Sequence, residues 1–218
     1  MKIKVSPSGS STGSLLHIMP SRSRRSYRDV LAGPGGNSRP ALETLSMGKK
    51  EFQFTITVNG EHYGKRFFSI RPGESMDHVV LKLIASLLYA HEKPEVEHPT
   101  GWKYRPDVTV FDEKGAVKRW IECADTAPSK LRRVLGRFPQ AEVVVFKRLH
   151  HEAESFARFF LRERQGGASI VVKAFEADFV DTLCRIIFDR ASLRAEYAGG
   201  MLTLTCGDVT IFSPVYSC

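Results

Sequence analysis

Arg105-Pro106-Asp107, followed after a turn by Trp120-Ile121-Glu122-Cys123-Ala124 and then by Lys130, is the stretch that decides how this chain reads. Asp107 to Asp112 and Val117 to Cys123, rich in β-branched and aromatic residues on either side of Glu113-Lys114-Gly115-Ala116, read as two antiparallel strands joined by a tight turn. With the turn centred on Lys114-Gly115, Asp107 falls directly opposite Glu122, their Cβ atoms about 5 Å apart. Like charges facing each other across a sheet are unfavourable, so the pair calls for a compensating cation. Two carboxylates beside a backbone carbonyl suit a hard ion such as Mg²⁺.

The flanking sequence extends this pair into a domain. Glu51 to Val58 alternates apolar and polar residues and meets Asn59-Gly60, a strong hairpin signal, with Lys65 to Ile70 as the returning strand. Pro72-Gly73 breaks the chain. Val79, Val80, Leu83, Ile84, Leu87 and Leu88 then recur at helical spacing, which predicts an amphipathic helix over residues 74–91 and a loop over 92–104. Pro128 opens a short helix whose buried stripe is Leu131, Val134, Leu135 and Phe138. Glu142 to Lys147 reads as a strand, His150 to Gln165 as a helix, Ser169 to Lys173 as a strand and Glu176 to Phe188 as a helix. Ser192 to Tyr197, Met201 to Cys206 and Val209 to Phe212 close the chain as a hairpin around Ala198-Gly199-Gly200 and a last strand. Helices and strands are intermixed without internal repeat, so the fold class is α/β or α+β: a mixed sheet flanked by helices, with a C-terminal β-hairpin.

These residues resemble the PD-(D/E)xK nuclease pattern and, more narrowly, the YaeQ family. The resemblance runs over most of residues 51–216. It takes in the opening strands, Pro72-Gly73-Glu74-Ser75 at the start of a Leu-rich helix, the Trp-Ile-Glu stretch and the closing hairpin from Phe188-Asp189-Arg190. It implies a restriction-endonuclease-like core that hydrolyses phosphodiesters with Mg²⁺ or Mn²⁺. Asp107 and Glu122 would be the metal carboxylates, the Cys123 carbonyl a further ligand, and Glu74 an auxiliary carboxylate. The lysine of the pattern falls at position 124, which here is Ala124; Lys130 is the nearest replacement and Arg133 the next. In such a site the metal lowers the pKa of a bound water and polarises the phosphate. Lys130 would orient that water or offset the developing charge, an effect on the order of 10²-fold. The missing lysine also admits a rival: a protein that kept the fold without the chemistry and binds nucleic acid or protein.

Substrate contact is assigned to the same short helix. Lys130, Arg133 and Arg137 share one of its faces, Arg132 lies beside them, and no acid intervenes between Asp125 and Glu142. An unopposed basic stripe next to a metal site suits a phosphate backbone, so nucleic acid is the expected partner. The composition is ordinary for a globular domain: of 218 residues, 42% are hydrophobic and 26% charged, with a net charge of +8. The first fifty residues carry nine basic groups against two acidic ones, a net +7, which leaves the remainder at +1.

Rich in Ser, Gly, Pro and Arg, residues 1–48 are expected to be a disordered extension ahead of a single domain at 49–218. That extension reads as an organelle leader, as an arm that touches nucleic acid or, the reading favoured here, as a dispensable segment upstream of Met47. No secretory signal and no membrane-spanning run is recognisable. Gly33-Pro34-Gly35-Gly36 follows no strand, so no phosphate loop or nucleotide cofactor is expected. Cys123, Cys184, Cys206 and Cys218 form no disulfide framework and fit a reducing cytoplasm.

Overall fold

A computed structural model of the chain describes residues 50–162 and 170–218. The expected disordered extension at 1–48, and the end of the helix expected to reach Gln165, lie outside the described residues. The chain opens as the expected hairpin, β1 (Lys50–Val58) and β2 (Glu61–Ile70), turning through Asn59 and Gly60, both with positive φ. Helix α1 (Met76–Leu88) follows, then a 3-10 turn at Ala90–Glu92 and a two-residue strand β3 (Glu95–Val96) inside the expected loop. After β4 (Val108–Phe111) and β5 (Val117–Cys123) come α2 (Pro128–Arg137), β6 (Glu142–Leu149), α3 (His150–Arg162) and β7 (Ile170–Phe175). Helix α4 (Phe179–Ile186) leads into β8 (Arg190–Ala198), β9 (Met201–Cys206), β10 (Val209–Pro214) and the short β11 (Tyr216–Ser217).

The fold is mixed α/β of the α+β type, with two mixed sheets where one was expected. One has the order β10-β9-β8-β1-β2 and the other β11-β7-β6-β5-β4-β3. The first sheet becomes mixed because β8 joins β1 in parallel. In the second, β5, β6 and β7 run parallel through the helical crossovers α2 and α3, while β4 and β3 return antiparallel. The C-terminal hairpin β8–β9 belongs to the first sheet.

Burial explains the layering. Alternate residues of β1, β8 and β9, among them Phe52, Phe54, Ile56, Leu193, Leu202 and Leu204, face one core with α1 and α4. The same core takes Ile121, Cys123, Val144 and Phe146 from one side of the second sheet. Trp120, Val143, Val145 and Val172 point the other way, against Leu131 and Val134 of α2 and Ala153 and Phe160 of α3. Helix α1 therefore lies between the two sheets, which is why its apolar residues run almost all round it. Strands β5 and β6 are covered on both faces, the usual condition of parallel strands.

The β4–β5 hairpin keeps the expected register by two compensating irregularities. Its loop is the three residues Glu113-Lys114-Gly115: the Asp112 N–H donates to the Ala116 carbonyl, and Gly115 takes φ +77°. The Asp112 Oδ1 accepts the Lys114 and Ala116 N–H groups at 2.9 and 2.8 Å. The one-residue offset of that loop is cancelled by a bulge between Val110 and Phe111, beyond which Val110 pairs with Arg119 and Val108 with Ile121. Among the described residues no helix is long and apolar enough to cross a membrane.

Leu83 is fully buried between the sheets, whereas Phe67 on the edge strand β2 is 62% exposed. Leu83→Ala should lose about 3–5 kcal/mol in denaturant unfolding, and Phe67→Ala should stay within about 0.5 kcal/mol of wild type. Equal losses would contradict the placement of α1 between the sheets.

Candidate active site

Pro106-Asp107 enters β4 and Glu122-Cys123 leaves β5, so both carboxylates stand at one end of the second sheet. The regular ladder stops at Val108–Ile121, one pair short of Asp107 and Glu122. Instead of a further pair, the Asp107 N–H donates to the Ile121 carbonyl at 3.1 Å, and the Asp107 Oδ2 accepts the Cys123 N–H at 2.7 Å. The carboxylate thus takes the place of a backbone acceptor. Its other oxygen, Oδ1, lies 3.1 Å from His78 Nε2 of α1, a close ionic contact rather than an aligned hydrogen bond.

Glu122 shares a face of β5 with Trp120, the face turned to α2, and is 2% exposed. The Trp120 Nε1 donates to Glu122 Oε1 at 2.6 Å, and the Lys130 Nζ lies 2.7 Å from both carboxylate oxygens. The Thr126 hydroxyl stands 3.5 Å from Oε2. Lys130 reaches Glu122 because α2 starts only five residues after β5 ends and turns back along it. Ala124, where the pattern's lysine would stand, adopts a left-handed backbone with φ +57°. That twist breaks the strand alternation, so a side chain at 124 no longer continues the face that carries Glu122. The Ala124 carbonyl is taken by the buried Lys147, whose Nζ is 2.7 Å away.

The environments push the two carboxyl groups apart. Burial raises the Glu122 pKa and the Asp107 charge adds to it, outweighing the opposing bonds from Lys130 and Trp120. For Asp107 burial acts upward too, but the contact and charge of His78, the Cys123 N–H and the charge of Lys82 prevail and hold it below its ordinary value. The Cys123 thiol is pushed far up, first by burial and then by the two carboxylates, so it is inert at neutral pH.

The other expected residues divide. Glu74, in the turn before α1, accepts the Arg71 N–H at 3.0 Å, while its Oε1 lies 3.7 Å from His78 Nδ1. Of the basic residues of α2, Lys130 is committed to Glu122. Arg133 donates to the Tyr104 hydroxyl at 2.6 Å, Arg137 lies over the Phe138 ring, and Arg132 is exposed. Trp102 packs edge-on against Trp120 and Phe138, fastening the 97–106 loop beside the site. His78, Lys82 and Glu97 are not among the site residues expected from the sequence. The first two do carry a signal: with Glu74 just ahead of the helix, His78 and Lys82 continue a four-residue spacing into the largely apolar α1.

The two-sheet α+β architecture is similar to solved proteins. The YaeQ protein from Xanthomonas axonopodis pv. citri superposes with a TM-score of 0.60 at 15% identity, covering 78% of this chain and 97% of that one. The YaeQ protein from Pseudomonas syringae gives 0.62 at 13% identity, covering 78% and 94%. The family model described as YaeQ protein matches residues 53–213, and the chain belongs to the YaeQ family. Comparison with curated proteins finds no match.

Burial alone would lower the His78 pKa, but the contact and charge of Asp107 override it and raise it. The stability this contact contributes is complete below the unfolded histidine value near pH 6.5 and is lost as pH rises through the folded value. The gap in Tm between wild type and His78→Gln should therefore be widest at about pH 5–6.5 and narrow as the pH is raised. A gap that stays constant with pH would contradict the ionic contact.

Proposed function

We propose that this chain is a metal-assisted phosphodiester hydrolase, a nuclease-like protein built on a PD-(D/E)xK core, with Asp107 and Glu122 sharing Mg²⁺ or Mn²⁺. The observation that carries the reading is the return of Lys130 to Glu122 at 2.7 Å, despite Ala124 at the usual lysine position. The donors fit a hard cation in kind: Asp107 and Glu122 offer carboxylate oxygens, the Cys123 carbonyl follows directly, and Glu74 is linked to Asp107 through His78. Among the described residues no three His, Cys, Asp or Glu side chains form a cage. A magnesium ion, which keeps several waters and takes one or two carboxylates besides substrate phosphate, needs none.

When bound, the ion supplies Lewis acidity at the phosphate and a water of lowered pKa. Asp107, held ionised, keeps an anionic ligand ready at neutral pH. Glu122, with its raised pKa, is the member of the pair that more readily carries a proton. Lys130 places a cation beside Glu122, where it can orient the attacking water and offset charge on the phosphate. Arg132 and Arg137 on the exposed side of α2 would meet neighbouring backbone phosphates, with Arg133 steadied by Tyr104. The free cysteines suit a reducing cytoplasm as the setting.

A second reading, a binding protein that keeps the fold without turnover, is favoured by one observation. All four oxygens of Asp107 and Glu122 already face protein donors: His78, Cys123 N–H, Trp120, Lys130 and Thr126. Calorimetric titration with Mg²⁺ and Mn²⁺, with cleavage of single- and double-stranded DNA and RNA, separates the two. Wild type should bind metal and cleave, and Asp107→Ala or Glu122→Ala should abolish both. Lys130→Ala should keep the metal and lose on the order of 10²-fold in rate. Metal binding without cleavage supports the second reading, and no metal binding contradicts the first.

A further inference from the structure

Lys82 lies on α1, two helical turns beyond Glu74 and one beyond His78, and none of its surface is exposed. Its Nζ is 2.7 Å from Glu97 Oε1 and 3.4 Å from Glu74 Oε2. The Arg71 guanidinium holds the other oxygen of Glu97, and the Arg71 N–H donates to the same Glu74 oxygen that meets Lys82. Charges therefore alternate along a line with Lys82 at its most buried point: Arg71, Glu97, Lys82, Glu74, then His78 and Asp107. The line also returns through the backbone, because the Glu97 N–H donates to the Asp107 carbonyl at 2.9 Å. Glu97 makes that bond from a left-handed conformation, φ +51°, which is strained for a side-chain-bearing residue and persists only where its surroundings enforce it.

We infer that Lys82, locked by Glu97 and Arg71, is a positioning residue that fixes the carboxylates of Glu74 and Asp107 relative to each other. The inference rests on the metal site proposed above and adds the brace behind it. Packing alone does not call for a lysine here, since a buried ion pair is generally no more stabilising than apolar residues of the same volume. The geometry accounts for the charge instead. With Lys82 between them, Glu74 and Glu97 are drawn together, leaving Glu74 Oε1 on the His78 side. Without that cation the two anions repel, Glu74 swings off the site, and the Glu97 turn that carries Asp107 loosens. Lys82 itself touches no candidate metal position, so its effect passes through Glu74 and Asp107.

The test uses the full chain. Lys82→Met alone removes the buried cation between the half-buried Glu74 and Glu97, leaving Arg71 as the remaining cation on Glu97, and is expected to unfold at lower temperature. Lys82→Met/Glu97→Gln removes one charge of each sign, so its Tm should return to within a few degrees of wild type. A structural role ends there. A positioning role leaves Mn²⁺ affinity, measured by calorimetry, tenfold or more below wild type in this double variant. Without metal, the His78 ring resonances in NMR spectra at fixed pH should also move, because Glu74 has lost the Lys82 ammonium that draws it to its place beside the ring. A folded double variant that binds Mn²⁺ within twofold of wild type and leaves the His78 resonances in place overturns the inference. If wild type binds no Mn²⁺, the metal site fails, and the His78 resonances decide separately: displaced, they support the brace; unmoved, they refute it.

Discussion

A carboxylate on a strand covered on both faces must have its charge answered from within the protein, and that requirement shapes this molecule around Glu122. Strand β5 lies between β4 and β6, with α1 on one side and α2 on the other. Burying an isolated carboxylate would cost several kcal/mol or drive it to its neutral form. Trp120, two residues back on the same face of β5, and Lys130 answer the charge, and Lys130 is in reach because α2 doubles back immediately after β5. The same end of the sheet holds Asp107, answered by the Cys123 N–H and by His78 from the opposite side. The two carboxylates feel each other's charge while facing different helices, which is how one becomes easier to protonate and the other harder.

Much of the fold was legible because its signals are local. Asn59-Gly60 placed the first hairpin, and Pro128 the start of α2. The β-branched run of β6 placed a buried strand. The division into two sheets was not legible, since it depends on β8 crossing the chain to lie parallel to β1, a pairing across more than a hundred residues that no local pattern announces. Strands β3 and β11, two residues each, are too short to show a period. The β4–β5 register came out as expected although its loop did not, because the bulge at Val110 offset a three-residue turn.

In the site, spacing and the family resemblance single out Asp107, Glu122 and Lys130, and the structure brings the Lys130 ammonium to Glu122. The polar stripe of α1 belongs to no such motif. Apolar periodicity reveals the helix, whereas His78 and Lys82 carry information because they interrupt it. A fully buried lysine in a helix between two sheets belongs to a network, and its partner Glu97 sits in a turn with no periodicity to reveal it. The YaeQ family relationship fixes the fold, and the chemistry rests on these side chains.

The central claim, that Asp107 and Glu122 jointly hold a divalent cation, is tested most directly by crystals of the full chain soaked in Mn²⁺ and measured at the manganese absorption edge. The expected result is an anomalous peak within about 2.0–2.4 Å of oxygens from both carboxylates, with Lys130 shifted from its present contact. A crystal with manganese bound elsewhere, or with Lys130 still bridging Glu122 and no peak beside it, would contradict it.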